Sequence, residues 1–261
     1  MSNLAVIYLR QGETDKGLEL SRQALELRKI KLGVDHPKVL VSMNNLAGGY
    51  YQAGENDKAV KLFEQLLKLL KTNLSPDHAN TVNVMSNLAR CYRRAGEYAK
   101  SIELYQQVLE QRKTKHGLAH PSTLISMDNL ASSYYQAGQN GEALELFQQV
   151  LKLRKTKLGS DHPDTLNSMA SLAVSQKDSG LVEEAIRLLE EVFERSENKE
   201  TLQRYVPHLR EAYIKGKQIE KLKMLLQNQI TEARDASNQI ELRKELGRSG
   251  DALLQLSLIH I

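Results

Sequence analysis

The chain has one cysteine, no tryptophan and only five prolines, and none of its apolar runs approaches the length of a membrane span. A single thiol, Cys91, excludes an internal disulfide and a thiolate cluster within one chain. The longest apolar runs fall far short of the roughly 18 residues that a spanning helix needs. The N-terminus lacks the basic-then-apolar layout of a secretory leader, so a cytoplasmic setting without membrane contact is the expectation. Scarce proline leaves long stretches free to be helical. Aromatics make up 5% of the residues, and most are Tyr. With a net charge of only +4 and no basic stripe interleaved with aromatics, the chain does not read as a nucleic-acid binder. A Gly-rich phosphate loop, a His-Glu-x-x-His pair and a nucleophile elbow are also missing. No catalytic residue, metal site or cofactor is expected.

What the chain does have is a repeat. Asn45-Leu46-Ala47 recurs as Asn3-Leu4-Ala5, Asn87-Leu88-Ala89 and Asn129-Leu130-Ala131, then as Ser171-Leu172-Ala173, each step being 42 residues. A glycine follows each of these leucines eight residues on, at Gly12, Gly54, Gly96, Gly138 and Gly180. Met1, Met43, Met85, Met127 and Met169 precede them by three. Fixed-period similarity at this length is the signature of a repeat architecture.

Each period resolves into two helices. The first is expected from about Pro37 to Ala53, with Leu46, Ala47 and Tyr50 on one face and Gly54 ending it. The second begins near Asp57 and carries Ala59, Leu62, Phe63, Leu66 and Leu70 as an apolar stripe of helical period. Turns such as Gly33-Val34-Asp35-His36-Pro37 and Gly159-Ser160-Asp161-His162-Pro163 join one period to the next. Asp is the expected cap of the following helix, with Pro in its first turn. One hairpin cannot bury its own apolar face, whereas stacked hairpins can. The fold class is therefore all-α, a right-handed superhelical α-solenoid of stacked antiparallel helix hairpins. Cys91 falls where other copies carry Gly49, Ser133 and Ser175, a small packing position.

Leu46, Ala47, Tyr50, Gly54, Ala59 and Phe63 lie on a spacing that resembles the tetratricopeptide repeat. The longer period, the Asp-His-Pro turn and the Asn-Leu-Ala helix resemble its kinesin-light-chain and nephrocystin-3 subclass. The match covers about residues 1–200, read as five hairpins, the first lacking its N-terminal half. Gly17 and Ser101, standing where Ala59 and Ala143 do, and Gln176 in place of Tyr, predict weaker packing locally. Residues 201–235 read as a divergent sixth hairpin containing Leu209, Ala212 and Tyr213. Residues 236–261 read as a further helix and a truncated or non-native tail, which leaves self-association through uncapped ends open. The start at Met1 suggests a chain that extends further upstream.

The resemblance implies that the first helix of each hairpin lines a concave, peptide-binding face. Carried onto this sequence, that face holds Asn44, Tyr51 and Gln52, then Asn83, Ser86, Arg90, Arg93 and Arg94. Asp128, Ser132, Tyr135 and Gln136 follow, then Asn167, with Ala170 and Lys177 beside it. Amides suit an extended backbone, Tyr supplies rigid contact area, and the arginines are forked donors for carboxylate or phosphate. The same arginines can equally be solvated helix charges or pair with Asp128. Asn45 and Asn87, one position further round, are expected to bridge hairpins. His36, His78, His120 and His162 occur once per repeat, too far apart to share a metal, and read as turn residues. The expected function is a scaffold or adaptor that binds an extended, acidic segment of a partner protein. A regulatory segment of a larger signalling protein and a self-assembling solenoid are the alternatives.

Overall fold

The computed structural model describes residue 4, residues 7–8, residues 13–73, residue 75, residues 77–196 and residues 199–235. Eleven helices are bounded among the described residues: α1 (Thr14–Leu32), α2 (Pro37–Gln52), α3 (Asn56–Asn73), α4 (Ala79–Arg94), α5 (Tyr98–His116), α6 (Pro121–Gln136), α7 (Asn140–Leu158), α8 (Pro163–Asp178), α9 (Val182–Arg195), α10 (Lys199–Lys215) and α11 (Ile219–Asp235). The described residues form no strand. Residues 236–261, read from the sequence as a further helix and tail, lie outside the described residues, as does most of the truncated first helix.

The helices bury the faces that the repeat dictates. In α2, Val39, Met43, Leu46, Ala47 and Tyr50 are buried, and in α3 Ala59, Phe63, Leu66 and Leu70 are. Two compact units result, residues 1–146 and residues 147–261. In the first, one apolar cluster runs from Leu18 and Leu25 through Met43, Phe63 and Met85 to Val108. In the second, Val150, Met169, Ala173, Ile186, Leu189, Leu209, Ala212 and Leu222 are buried. Within each unit sequential helices pack on one another, and α4 also touches both α2 and α6. That is the arrangement in which each hairpin covers its neighbour's apolar stripe.

The turn between repeats corrects one expectation: histidine, not aspartate, caps the following helix. Nδ1 of His36, His78, His120 and His162 accepts the backbone N–H two residues on, at 3.1, 3.2, 3.2 and 3.1 Å. A side chain at this position satisfies a donor that the first helical turn leaves unpaired. The aspartates sit one residue earlier and reach elsewhere: Asp35 accepts from Asn73 and Asp161 from Arg195. At the other end of each first helix the chain turns through a left-handed glycine. Gly54 has φ 80°, and Glu55 N–H closes the turn on the Tyr50 carbonyl at 2.9 Å.

Of the substitutions within the period, Ser101 is matched by its partner rather than loosened. Ser101 is fully buried, and its hydroxyl lies 2.9 Å from that of Ser133. In the preceding repeat the same two positions hold Ala59 and Cys91, both fully buried. Ser101 therefore fills its place with a paired hydroxyl instead of weakening it. Gln176 does weaken its site: its Oε1 is buried without a hydrogen-bond partner among the described residues. Tyrosines at that position reach a side chain of the preceding helix, as Tyr134 does when it accepts from Gln106 at 2.8 Å. Burial pushes the Cys91 thiol up to about 11, the state of an inert packing cysteine.

Candidate functional site: the first-helix face of residues 13–146

Helix α4 presents Arg90 and Arg94 one turn apart, both exposed, with Arg93 half-buried beside them. They do not point freely into solvent. The Arg90 guanidinium carbon lies 4.6 Å, and that of Arg94 4.9 Å, from the centre of the Tyr51 ring on α2. Arg94 also donates to the Tyr51 carbonyl at 2.8 Å, and Arg90 to Asn87 Oδ1 at 3.4 Å. Each cation–π contact at an exposed site contributes about 0.5–1 kcal/mol. These contacts bias the guanidinium groups toward the Tyr51 ring, and most of their N–H donors have no partner among the described residues.

Beneath them lies Tyr105, 1% exposed, in the position that holds Phe63 one repeat earlier. Burial raises its phenol to about 12, and the charges of Arg93 and Arg90 act in the opposite sense. The face is thus locally cationic, with two arginines against one tyrosine ring and a buried phenol beside them.

The remaining residues divide. Asn44 is half-buried, and Gln52 and Gln136 are exposed on the same set of helices. The hydroxyls of Ser86 and Ser132 bond back to Val82 and Asp128 carbonyls on their own helices, at 3.0 and 2.8 Å. Asn83 accepts from Arg112 at 3.2 Å and belongs to a contact between repeats. Asp128 and Tyr135 are half-buried and already engaged. Asn87 accepts from Arg90 of its own helix, with no bridge to another hairpin among the described residues, and Asn45 is exposed.

Asn167 belongs to the second unit and is half-buried. Its neighbours there are closed off. Ala170 is fully buried, and Lys177 is 4% exposed, donating to Glu211 of α10 at 2.5 Å with Asp178 at 3.3 Å. The hydrogen bond from Lys177 holds the Glu211 carboxyl below the usual carboxylate range.

A recurring arginine escaped the sequence reading. Arg112 donates to Ser126 Oγ at 2.9 Å and to the Ser122 carbonyl at 3.1 Å. Arg154 does the same to Ser168 Oγ at 2.5 Å and the Asp164 carbonyl at 3.3 Å, and Arg28 binds Ser42. The signal was present in the 42-residue register, where Leu70 and Val84 take the places of Arg and Ser. Arg112 is depressed from the usual arginine value by burial.

No group of three or more His, Cys, Asp or Glu that could hold a metal exists among the described residues. None of their helices is long and apolar enough to cross a membrane.

Helix pairs of fixed period, packed on one another within each unit, define a repeat scaffold. The tetratricopeptide repeat family profile matches residues 1–72, 50–114, 80–156 and 122–198. The chain belongs to the tetratricopeptide repeat family. Its fold is similar to the kinesin light chain-type, nearly identical TPR-like repeats of Podosopora anserina, at 33% identity and a TM-score of 0.68 over 73% of this chain and 90% of that one. It also resembles BtubC (BKLC) from P. vanneervenii in fold, at 18% identity and a TM-score of 0.65 over 88% of this chain and 92% of that one. MamA shares the fold at 13% identity and a TM-score of 0.51, over 73% of this chain and 93% of that one. No curated protein matches the chain. Tetratricopeptide repeats mediate protein–protein interaction, and this is a non-enzymatic scaffold fold.

Proposed function

We propose that the chain is an adaptor that binds an extended, acidic segment of a partner protein along the first-helix face of α2, α4 and α6. The supporting observation is the Tyr51–Arg90–Arg94 cluster, in which two guanidinium groups are held against one ring. Arginines already biased toward one position lose less freedom on binding than free ones, so more of each charge-assisted bond appears as affinity. Such bonds contribute about 1.5–3 kcal/mol each, and micromolar binding needs roughly 8 kcal/mol. The cluster therefore selects for carboxylates, and contacts to the segment's backbone from Asn44, Gln52 and Gln136 supply the rest. On this reading residues 1–200 form the binding array, residues 201–235 extend it by one divergent hairpin, and the protein works in the cytoplasm without cofactor or catalysis.

The test is a peptide-array screen of the wild type against a variant carrying Arg90→Glu, Arg93→Glu and Arg94→Glu. Acidic peptides should bind the wild type and lose about 100-fold in affinity on the variant, both proteins giving the same helical circular dichroism. Equal binding by both would refute the groove assignment. Failure of either to bind any peptide, with mass growing with concentration in light scattering, would favour a self-assembling solenoid.

A further inference from the structure

Helix α4 has a second working side. Leu88 and Tyr92 point away from Arg90 and Arg94, since two residues along a helix turn the side chain through about 200°. On that side a cleft of about 640 Å³ opens between α3 and α5. Its floor is apolar: Leu67, Leu88 and Tyr92 are buried, and Leu104 is half-buried. Lys68, Lys71 and Lys100 stand at its rim.

Two carboxylates share the rim, Glu64 and Glu103, and each is hydrogen-bonded but keeps its charge. Glu64 accepts from the Tyr92 hydroxyl, and Glu103 accepts from Gln107 at 3.4 Å. Lys100 pairs with Glu97 and lies 5.0 Å from the centre of the Tyr92 ring. Lys68 and Lys71 have no ion pair among the described residues. In the flanking repeats the corresponding lysines do: Lys29 pairs with Glu26 at 2.8 Å and Lys113 with Glu110 at 3.6 Å. The period places Glu26 and Glu110 where this repeat has Lys68. One substitution thus replaces a Glu–Lys ion pair with two adjacent lysines that have no ion pair among the described residues, at the mouth of an apolar-floored cleft.

We propose that this cleft is a second docking site, which takes a short acidic segment of a partner protein that inserts one bulky aliphatic side chain between α3 and α5. The cleft is open to solvent and its apolar floor is large enough for one side chain, and the three lysines at its rim outnumber the two glutamates, which favours carboxylates flanking that side chain. The observations favour a peptide over other anions. Single-stranded nucleic acid needs an exposed aromatic platform for stacking, and Tyr92 is 7% exposed. An anionic bilayer needs apolar side chains that project into it, whereas this apolar surface is recessed. The inference stands apart from the arginine face, because it uses the opposite side of α4.

The probe is a fluorescein-labelled peptide with one leucine between two runs of three glutamates, followed by fluorescence anisotropy with the full chain. Lys68→Glu restores the residue type that the flanking repeats carry and recreates a Glu–Lys pair with Lys71, so it should fold as the wild type does. It should weaken binding about tenfold, and Lys71→Ala should weaken it less. Replacing the leucine by alanine should also cost about tenfold. The Arg90→Glu, Arg93→Glu, Arg94→Glu variant, which lacks the other face's site for acidic peptides, should still bind this probe, and the losses from Lys68→Glu and from the leucine replacement should persist in that background. Absence of binding overturns the proposal, and so does binding that ignores Lys68→Glu or the leucine. Loss of binding only in the arginine variant would assign the peptide to the other face and also overturn it. Tighter Lys68-dependent binding to phosphatidylserine vesicles or to an oligothymidine would replace the peptide with a membrane or a nucleic acid.

Discussion

Lys217 has φ 53° and is the only non-glycine residue in the left-handed region among the described residues. It follows Leu209 by eight, the place of Gly54 after Leu46. The same turn is closed there, with Gln218 N–H donating to the Tyr213 carbonyl at 2.9 Å. The sixth hairpin thus keeps the repeat's turn while carrying a residue that fits it poorly. A left-handed conformation costs an L-residue about 1–2 kcal/mol, and glycine's larger unfolded-state entropy offsets part of the relief. Lys217→Gly should therefore raise stability by about 0.5–1 kcal/mol, measured by urea denaturation with an unchanged m-value. Close by, Gly216 cannot be replaced so simply, since a Cβ there would lie 2.9 Å from Ile186 Cδ1.

At the scale of the helices, adjacent repeats are tied by a contact that exists in two chemical versions. Arg28–Ser42, Arg112–Ser126 and Arg154–Ser168 are polar, whereas Leu70 and Val84 at the same two positions are buried in the apolar cluster. A buried hydroxyl or guanidinium without its partner costs about 1–3 kcal/mol, whereas replacing both by apolar groups of fitting shape can be nearly neutral. Arg112→Leu alone should therefore destabilise by about 1–3 kcal/mol. Adding Ser126→Val, which copies the Leu70 and Val84 version, should recover about 1 kcal/mol or more in a double-mutant cycle. Strict additivity of the two substitutions would show that the pair is not a coupled unit.

For the whole molecule, stability in a repeat array is approximately a sum of repeat and neighbour terms. A core lesion should then loosen its own surroundings first. Phe63 is 1% exposed at the centre of the first unit's apolar cluster. Phe63→Ala should remove about 3–5 kcal/mol locally. Hydrogen exchange should show the largest loss of protection in α2 to α5, with α9 much less affected. A uniform loss along the chain would mean that the array opens as a single cooperative block. Locality would also let the two faces of α4 be changed separately, which the charge-reversal variants rely on.

Much of this protein was legible in its sequence, because a period of 42 residues repeats the demands that burial makes on the chain. Leu46, Ala47 and Tyr50 had to face inward together, and Gly54 had to follow them, whatever the details of packing. The family, the helix pairs and the breaks between them follow from that. Position along the chain did not determine which polar groups meet. Aspartate and histidine are both plausible caps, and only the folded turn sends Asp35 to Asn73 and leaves His36 over the helix end. Arg90 and Arg94 were visible as a charged pair on one helix face, but their hold on Tyr51 crosses 39 and 43 residues, counted from the residue numbers. Lys177 looked open and is closed by Glu211 from the divergent hairpin. Apolar periodicity is written locally, residue by residue. Polar partnership depends on which side chains packing brings within about 3 Å of one another, and tertiary structure alone decides that.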